Sequence, residues 1–176
     1  MSNVATVYSA KLAASLANPT ALATFVQSNN SALAAAVYFP TIVPTGSLQS
    51  ARFNVKAWGR CTAGTSGNMD ATLYFGTSVT AASNTALGAL GVQTNAAKAH
   101  WFIDAILIWD SNGQVLDGLY SGASGSTLAL KANTLVTPKT AVDLTAAGSG
   151  LTVGGIFGTS NAGNIYYMDG FTLEVL

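Results

Sequence analysis

Charge is scarce in this 176-residue chain: Asp, Glu, Lys and Arg together make up 8% of it, against about 25% in average soluble domains. Seven basic residues balance seven acidic ones. No excess of either sign therefore points to nucleic acid or to an anionic membrane surface as a partner. A single cysteine, Cys61, excludes an internal disulfide and a multi-cysteine metal site. Beside Arg60 it reads as a half-buried strand residue. Apolar runs stay short of the roughly 18 to 20 residues a spanning helix needs. The N-terminus lacks a basic region, and its apolar stretch breaks at Asn18-Pro19, so no secretory signal is expected.

Catalytic chemistry is equally poorly supplied. The one histidine, His100, stands just before a strand-like run, with no Gly-x-Ser-x-Gly elbow to supply a nucleophile for a triad. It reads as a surface or capping group. Gly88 to Gly91 and Gly154-Gly155 lack the strand–loop–helix setting and the lysine of a phosphate loop. They read as turns and close-packed strands. Glycoside hydrolysis needs two carboxylates about 5 to 10 Å apart, whereas Asp104 and Asp117 fall some four residues apart on one hairpin face, roughly 13 Å. The sequence therefore argues against an enzyme, with no catalytic residue, cofactor or metal expected.

What is present is Ala, Thr, Ser, Gly and Asn in quantity, with patterns that change along the chain. Residues 1–37 form an Ala/Leu-rich N-terminal segment whose only charge is Lys11. Leu12 and Leu16 stand at i, i+4, Asn18-Pro19 matches an N-cap followed by proline at the first helical position, and Leu22, Phe25 and Val26 share one apolar face. The segment reads either as one or two short helices or as an extended arm. Residues 38–176 read as β-structure. Phe53, Val55 and Ala57 alternate with Arg52, Asn54, Lys56 and Trp58, the period of a half-buried strand.

The clearest local signal is Asn112-Gly113, the preferred pair for a two-residue type I′ hairpin turn. That turn pairs Ser111 with Gln114 and fixes the register. Trp109 then faces Leu116, Leu107 faces Gly118, Ala105 faces Tyr120 and Ile103 faces Gly122, so that large residues meet small ones on one face. The opposite face carries Ile106 against Leu119 and Ile108 against Asp117, with Phe102 further out, and is too apolar for open solvent. A small antiparallel sheet that is apolar on both sides implies a covering segment or a subunit interface. A low-charge surface, poor at keeping monomers apart, points the same way. Phe102, Ile106, Ile108 and Leu119 are accordingly the expected subunit-interface residues.

Leu135 to Leu144 reads as a strand broken by Pro138, and two further strands are expected over Leu151 to Gly158 and Ile165 to Val175. In the last, Ile165, Tyr167, Phe171, Leu173 and Val175 share the core face with Asp169 as the lone polar residue among them. A core-facing carboxylate must be hydrogen-bonded, paired with an arginine (Arg52 or Arg60), or bound to a structural Ca²⁺. Trp58, Tyr74 and Tyr166 alternate away from the core, where exposed aromatics serve either a protein interface or stacking against sugar rings. Many strands with Gly-rich connections read as an all-β, antiparallel jelly-roll β-sandwich carrying a short N-terminal helical or extended arm.

The run Asn164-Ile165-Tyr166-Tyr167-Met168-Asp169-Gly170-Phe171-Thr172-Leu173-Glu174 resembles the closing strand of jelly-roll carbohydrate-binding modules. Across most of its length the chain looks more like the small jelly-roll virion proteins of tailed bacteriophages, the cement or decoration proteins of the head. The features that carry this are the Met1-Ser2-Asn3 start, the Ala-rich first segment, the nearly uncharged Gly/Thr/Ser/Asn-rich strands, the Trp101 to Tyr120 hairpin and the closing strand. That resemblance implies a homotrimer on the capsid exterior, made in the host cytoplasm and bound to the major capsid protein. Leu12, Leu16, Leu22 and Phe25 would be the anchors, with no nucleic acid and no membrane as partner. The alternative is a carbohydrate- or receptor-binding jelly-roll module with Trp58, Tyr74 and Tyr166 as glycan-stacking residues.

Overall fold

The computed structural model describes residues 5–17, 23–27, 50–62, 68–77, 83–89, 93–94, 99–110, 115–125, 129–140, 144, 149–157 and 165–176. They form strands β1 (Ala5–Ala17), β2 (Ala23–Gln27), β3 (Ser50–Thr62), β4 (Asn68–Gly76), β5 (Thr85–Ala89), β6 (Gln93–Thr94), β7 (Ala99–Asp110), β8 (Val115–Gly125), β9 (Ala129–Lys139), β10 (Gly150–Phe157) and β11 (Ile165–Val175). Every strand pairing is antiparallel. One sheet has the order β1-β11-β3-β7-β8-β9 and the other β2-β10-β4-β5, with β6 beside β4. The chain changes sheet six times, between β1 and β2, β2 and β3, β3 and β4, β6 and β7, β9 and β10, and β10 and β11. The strand pairs β1/β2, β11/β10 and β3/β4 hold matching positions in the two sheet orders, β1-β11-β3 in one and β2-β10-β4 in the other. This winding is that of a jelly-roll sandwich. No helix long and apolar enough to cross a membrane occurs among the described residues.

Alternation within each strand builds the core. Phe53, Val55 and Ala57 of β3 are buried, as are Ile103, Ala105 and Leu107 of β7. Leu73, Leu151 and Val153 of the second sheet are buried as well. The β7–β8 register is the one the turn chemistry predicts: Trp109↔Leu116, Leu107↔Gly118, Ala105↔Tyr120 and Ile103↔Gly122. The turn residues themselves, 111–114, lie outside the described residues.

Two expectations change form. Of the alternatives for residues 1–37, the extended one is present over Ala5–Ala17 and Ala23–Gln27, and the described part contains no helix there. Both segments are edge strands, β1 against β11 and β2 against β10. Tertiary pairing overrides the i, i+4 spacing of Leu12 and Leu16. Asn18-Pro19 and Leu22 lie outside the described residues, and so do the side chains of Leu12, Leu16 and Phe25.

The second change concerns Pro138, expected to break its strand. Instead β9 runs through it. The strand lies at the sheet edge, and the pairing slips by one residue between Leu116↔Lys139 and Gly118↔Val136. An edge position at a bulge is where a strand tolerates a residue without an N–H.

Candidate functional site

The outer face of the six-stranded sheet carries exposed apolar side chains at two places. On β3, Arg52, Lys56, Trp58 and Arg60 point away from the core. On β7, Phe102 and Asp104 are half-buried and Ile106 and Ile108 exposed, while β8 adds Asp117 and Leu119. Trp58 is 41%, Ile106 41%, Ile108 38% and Leu119 49% exposed. Ile106 stands directly across from Leu119 and Ile108 from Asp117, so three aliphatic side chains form one contiguous patch. Beside it opens a small hollow of about 160 Å³ lined by Asp104, Ile106, Leu119, Tyr120 and Ser121. Its floor is tied by the Ser121 hydroxyl, which donates to the Asp104 carbonyl at 3.2 Å.

The second place lies about four residues along the strands, roughly 13 Å away. Here Trp58 faces Phe102 on β7 and Gly170 on β11. The six-membered ring of its indole covers Gly170 so closely that a Cβ at that position would collide with it. Neighbouring Asp169 is the extra residue of a β-bulge, since the pairing runs Met168↔Gly59 and then Gly170↔Trp58. Arg60 donates to both carboxylate oxygens of Asp169, Nε to Oδ2 and Nη2 to Oδ1, each at 2.8 Å. The guanidinium also sits 5.1 Å from the centre of the Tyr167 ring, within range of a cation–π contact.

The hydrogen bonds from Arg60 hold the Asp169 carboxyl below its ordinary range, against partial burial, with smaller attraction from the Arg60 and His100 charges. The same hydrogen bond and charge raise the Arg60 pKa. His100 is exposed and lies across from Arg60.

Asp169 was expected on the core face, and the bulge corrects this. Adding one residue reverses the alternation, so Met168 turns into the core and Tyr167 stands on the outer side, half-buried. Of the three ways to satisfy Asp169, the structure shows the ion pair, and with Arg60 rather than Arg52. Beneath the bulge, the Trp101 indole N–H donates to the Tyr167 carbonyl at 3.1 Å. To do so its ring passes under Gly59, 2.8 Å from where a Cβ would stand.

The expected site residues divide accordingly. Ile106, Ile108 and Leu119 come together, whereas Phe102 sits at the other end beside Trp58. Among the expected stacking aromatics, Trp58 is on this face and Tyr74 is on the other sheet. Tyr166 pairs with Cys61 in β11, and the side chains of both lie outside the description. Sequence reasoning missed Tyr167 and the role of Gly170. The signal was Gly170 itself, because a glycine inside a strand pattern marks a bulge or a close approach. Among the described residues no group of three or more His, Cys, Asp or Glu side chains is placed to hold a metal ion.

No protein-family profile matches the sequence, and no curated protein sequence matches it. Among solved structures, the chain is similar to peanut lectin with a nine-residue peptide, at 8% identity and a TM-score of 0.32, covering 72% of each chain. It is also similar to the metal-free lectin I-B4 of Griffonia simplicifolia, at 8% identity and a TM-score of 0.34, covering 76% of this chain and 75% of that one. At these scores no property of the lectins is transferred to this chain.

Proposed function

We propose that this protein is a non-catalytic structural protein that works by association, through the outer face of its six-stranded sheet. The observation that carries the reading is the aliphatic patch of Ile106, Ile108 and Leu119, exposed at 38–49% on the paired strands β7 and β8. Aliphatic side chains grouped this way stabilise contacts by removing apolar area from water, at about 25 cal/mol per Å² before the entropic costs of association. They offer no hydrogen bonds and no chemistry. The low charge of the chain supports the same reading.

Its specific form is the one the sequence resemblance implies: a homotrimeric decoration protein on a phage capsid, bound to the major capsid protein. The edge strands β1 and β2 would carry the anchoring residues Leu12, Leu16 and Phe25, with Leu22 between them. The test is to compare purified capsids with and without the protein under heating. Loss of heat resistance in its absence, restored by wild-type protein but not by Ile106→Asp/Leu119→Asp, is the expected result. Equal resistance with and without the protein contradicts the decoration role.

A second reading, a carbohydrate- or receptor-binding module, is favoured by one observation. Trp58 is an exposed indole held flat on the sheet, an arrangement that serves stacking.

A further inference from the structure

We propose that the end of the outer face around Trp58 and the Arg60–Asp169 pair is a binding site for a neutral sugar. The inference rests on the second reading above. It adds the chemical class of the ligand and the polar side chains that would recognise it.

Sugar recognition in water needs an apolar platform for the C–H face of the ring and planar, fixed polar groups for its hydroxyls. Trp58 supplies the platform. Of the three tryptophans, Trp101 and Trp109 are buried and only Trp58 is exposed. Its ring lies closely against Gly170, where a Cβ would collide with it. Two residues along the same strand, about 7 Å away, Arg60 stands on the same face, a separation that matches one pyranose ring. The bidentate bonds to Asp169 fix the guanidinium plane, and the Tyr167 ring supports it from one side.

That pair leaves hydrogen-bonding capacity unspent. Among the described residues Arg60 uses Nε and Nη2, which leaves the Nη1 donors. Each carboxylate oxygen accepts once from Arg60 and has a further lone pair. The pair remains accessible, with side chains 55% and 32% exposed. It therefore offers donors and acceptors side by side, as vicinal hydroxyls require.

Net charge decides the class. Arg60 is neutralised by Asp169, so the site presents no net charge from this pair to attract a phosphate or a carboxylated sugar, and a neutral ring is favoured. The groups sit on β3 and on the bulge of β11 rather than on a loop, so little ordering is needed on binding.

The experiment uses the full chain and a panel of neutral glucose, galactose, mannose and N-acetylglucosamine oligosaccharides, with sialylated and sulfated glycans alongside. Acrylamide quenching of tryptophan fluorescence reads Trp58, because the other two indoles are shielded. The expected result is saturable protection by a neutral glycan. Calorimetry with that glycan should show binding at least tenfold weaker in Trp58→Ala and in Asp169→Asn, and unchanged in Ile106→Asp. The near-UV signal of Trp101 and Trp109 confirms that each variant is folded. A neutral glycan that binds both Trp58→Ala and Asp169→Asn normally keeps the carbohydrate reading but overturns this site. Preference for the anionic glycans overturns the ligand class. No protection by any glycan overturns the site and the second reading together.

Discussion

Gly118 holds φ at +148°, and a Cβ there would run into the Ile106 carbonyl across the β7–β8 pairing. Both the backbone conformation and the space admit only hydrogen. Gly118→Ala is expected to cost about 1–3 kcal/mol from backbone strain, before any steric adjustment. Chemical denaturation checks this, and an unchanged midpoint contradicts it. Asp169 gives a pH test. Its carboxyl is held below the ordinary aspartate value of about 3.9, chiefly by hydrogen bonds from Arg60. A depressed folded-state pKa means that the contribution to stability is complete above that ordinary value and is lost as pH falls through the depressed one. The melting-temperature lead of the wild type over Asp169→Asn should therefore be level at neutral pH and shrink on acidification. A lead that grows in acid contradicts the assignment. The pair is exposed, so the effect is small.

At the scale of elements, the hairpin of β7 and β8 was legible in the sequence because two independent signals agree. Asn112-Gly113 predicts a register, and the observed pairing places Trp109, Leu107 and Ile103 opposite Leu116, Gly118 and Gly122 as that register does. The same register put Ile106 and Leu119 side by side on the other face, which made the aliphatic patch legible too. The closing strand was only half legible. Alternation placed Phe171 and Leu173 in the core, where they are. One inserted residue at Asp169 then put Met168 in the core and Tyr167 outside it, and periodicity cannot see an insertion that leaves no gap. Arg60 was one of the partners the sequence offered for Asp169, but the outward placement of Asp169 with Tyr167 was hidden for that reason.

The N-terminal segment was ambiguous because alanine-rich sequence has good helix propensity, and only its pairing partner, β11, makes it a strand. That pairing matters for stability. Deleting residues 1–17 opens the β11 edge, so a lower melting temperature and edge-to-edge aggregation are expected. An unchanged melting temperature would show that β1 contributes nothing to the sandwich.

For the whole molecule, the two faces of the six-stranded sheet have different work. The inner face, with Phe53, Ile103, Leu107 and Phe171, packs the sandwich core. On the outer face, an aliphatic end at Ile106, Ile108 and Leu119 is set apart by about 13 Å from an aromatic and polar end at Trp58, Arg60 and Asp169. The row between them carries Lys56, Asp104 and Ser121. Under the two proposals, such separation would let one sheet associate at one end and bind a small polar ligand at the other. The most direct measurement of the association claim is the solution mass of the purified protein by light scattering over a concentration series, for the wild type and for Ile106→Asp/Leu119→Asp. The account predicts a stable trimer of the 17.8 kDa chain for the wild type and folded monomers for the variant. A wild type that stays monomeric throughout would contradict it.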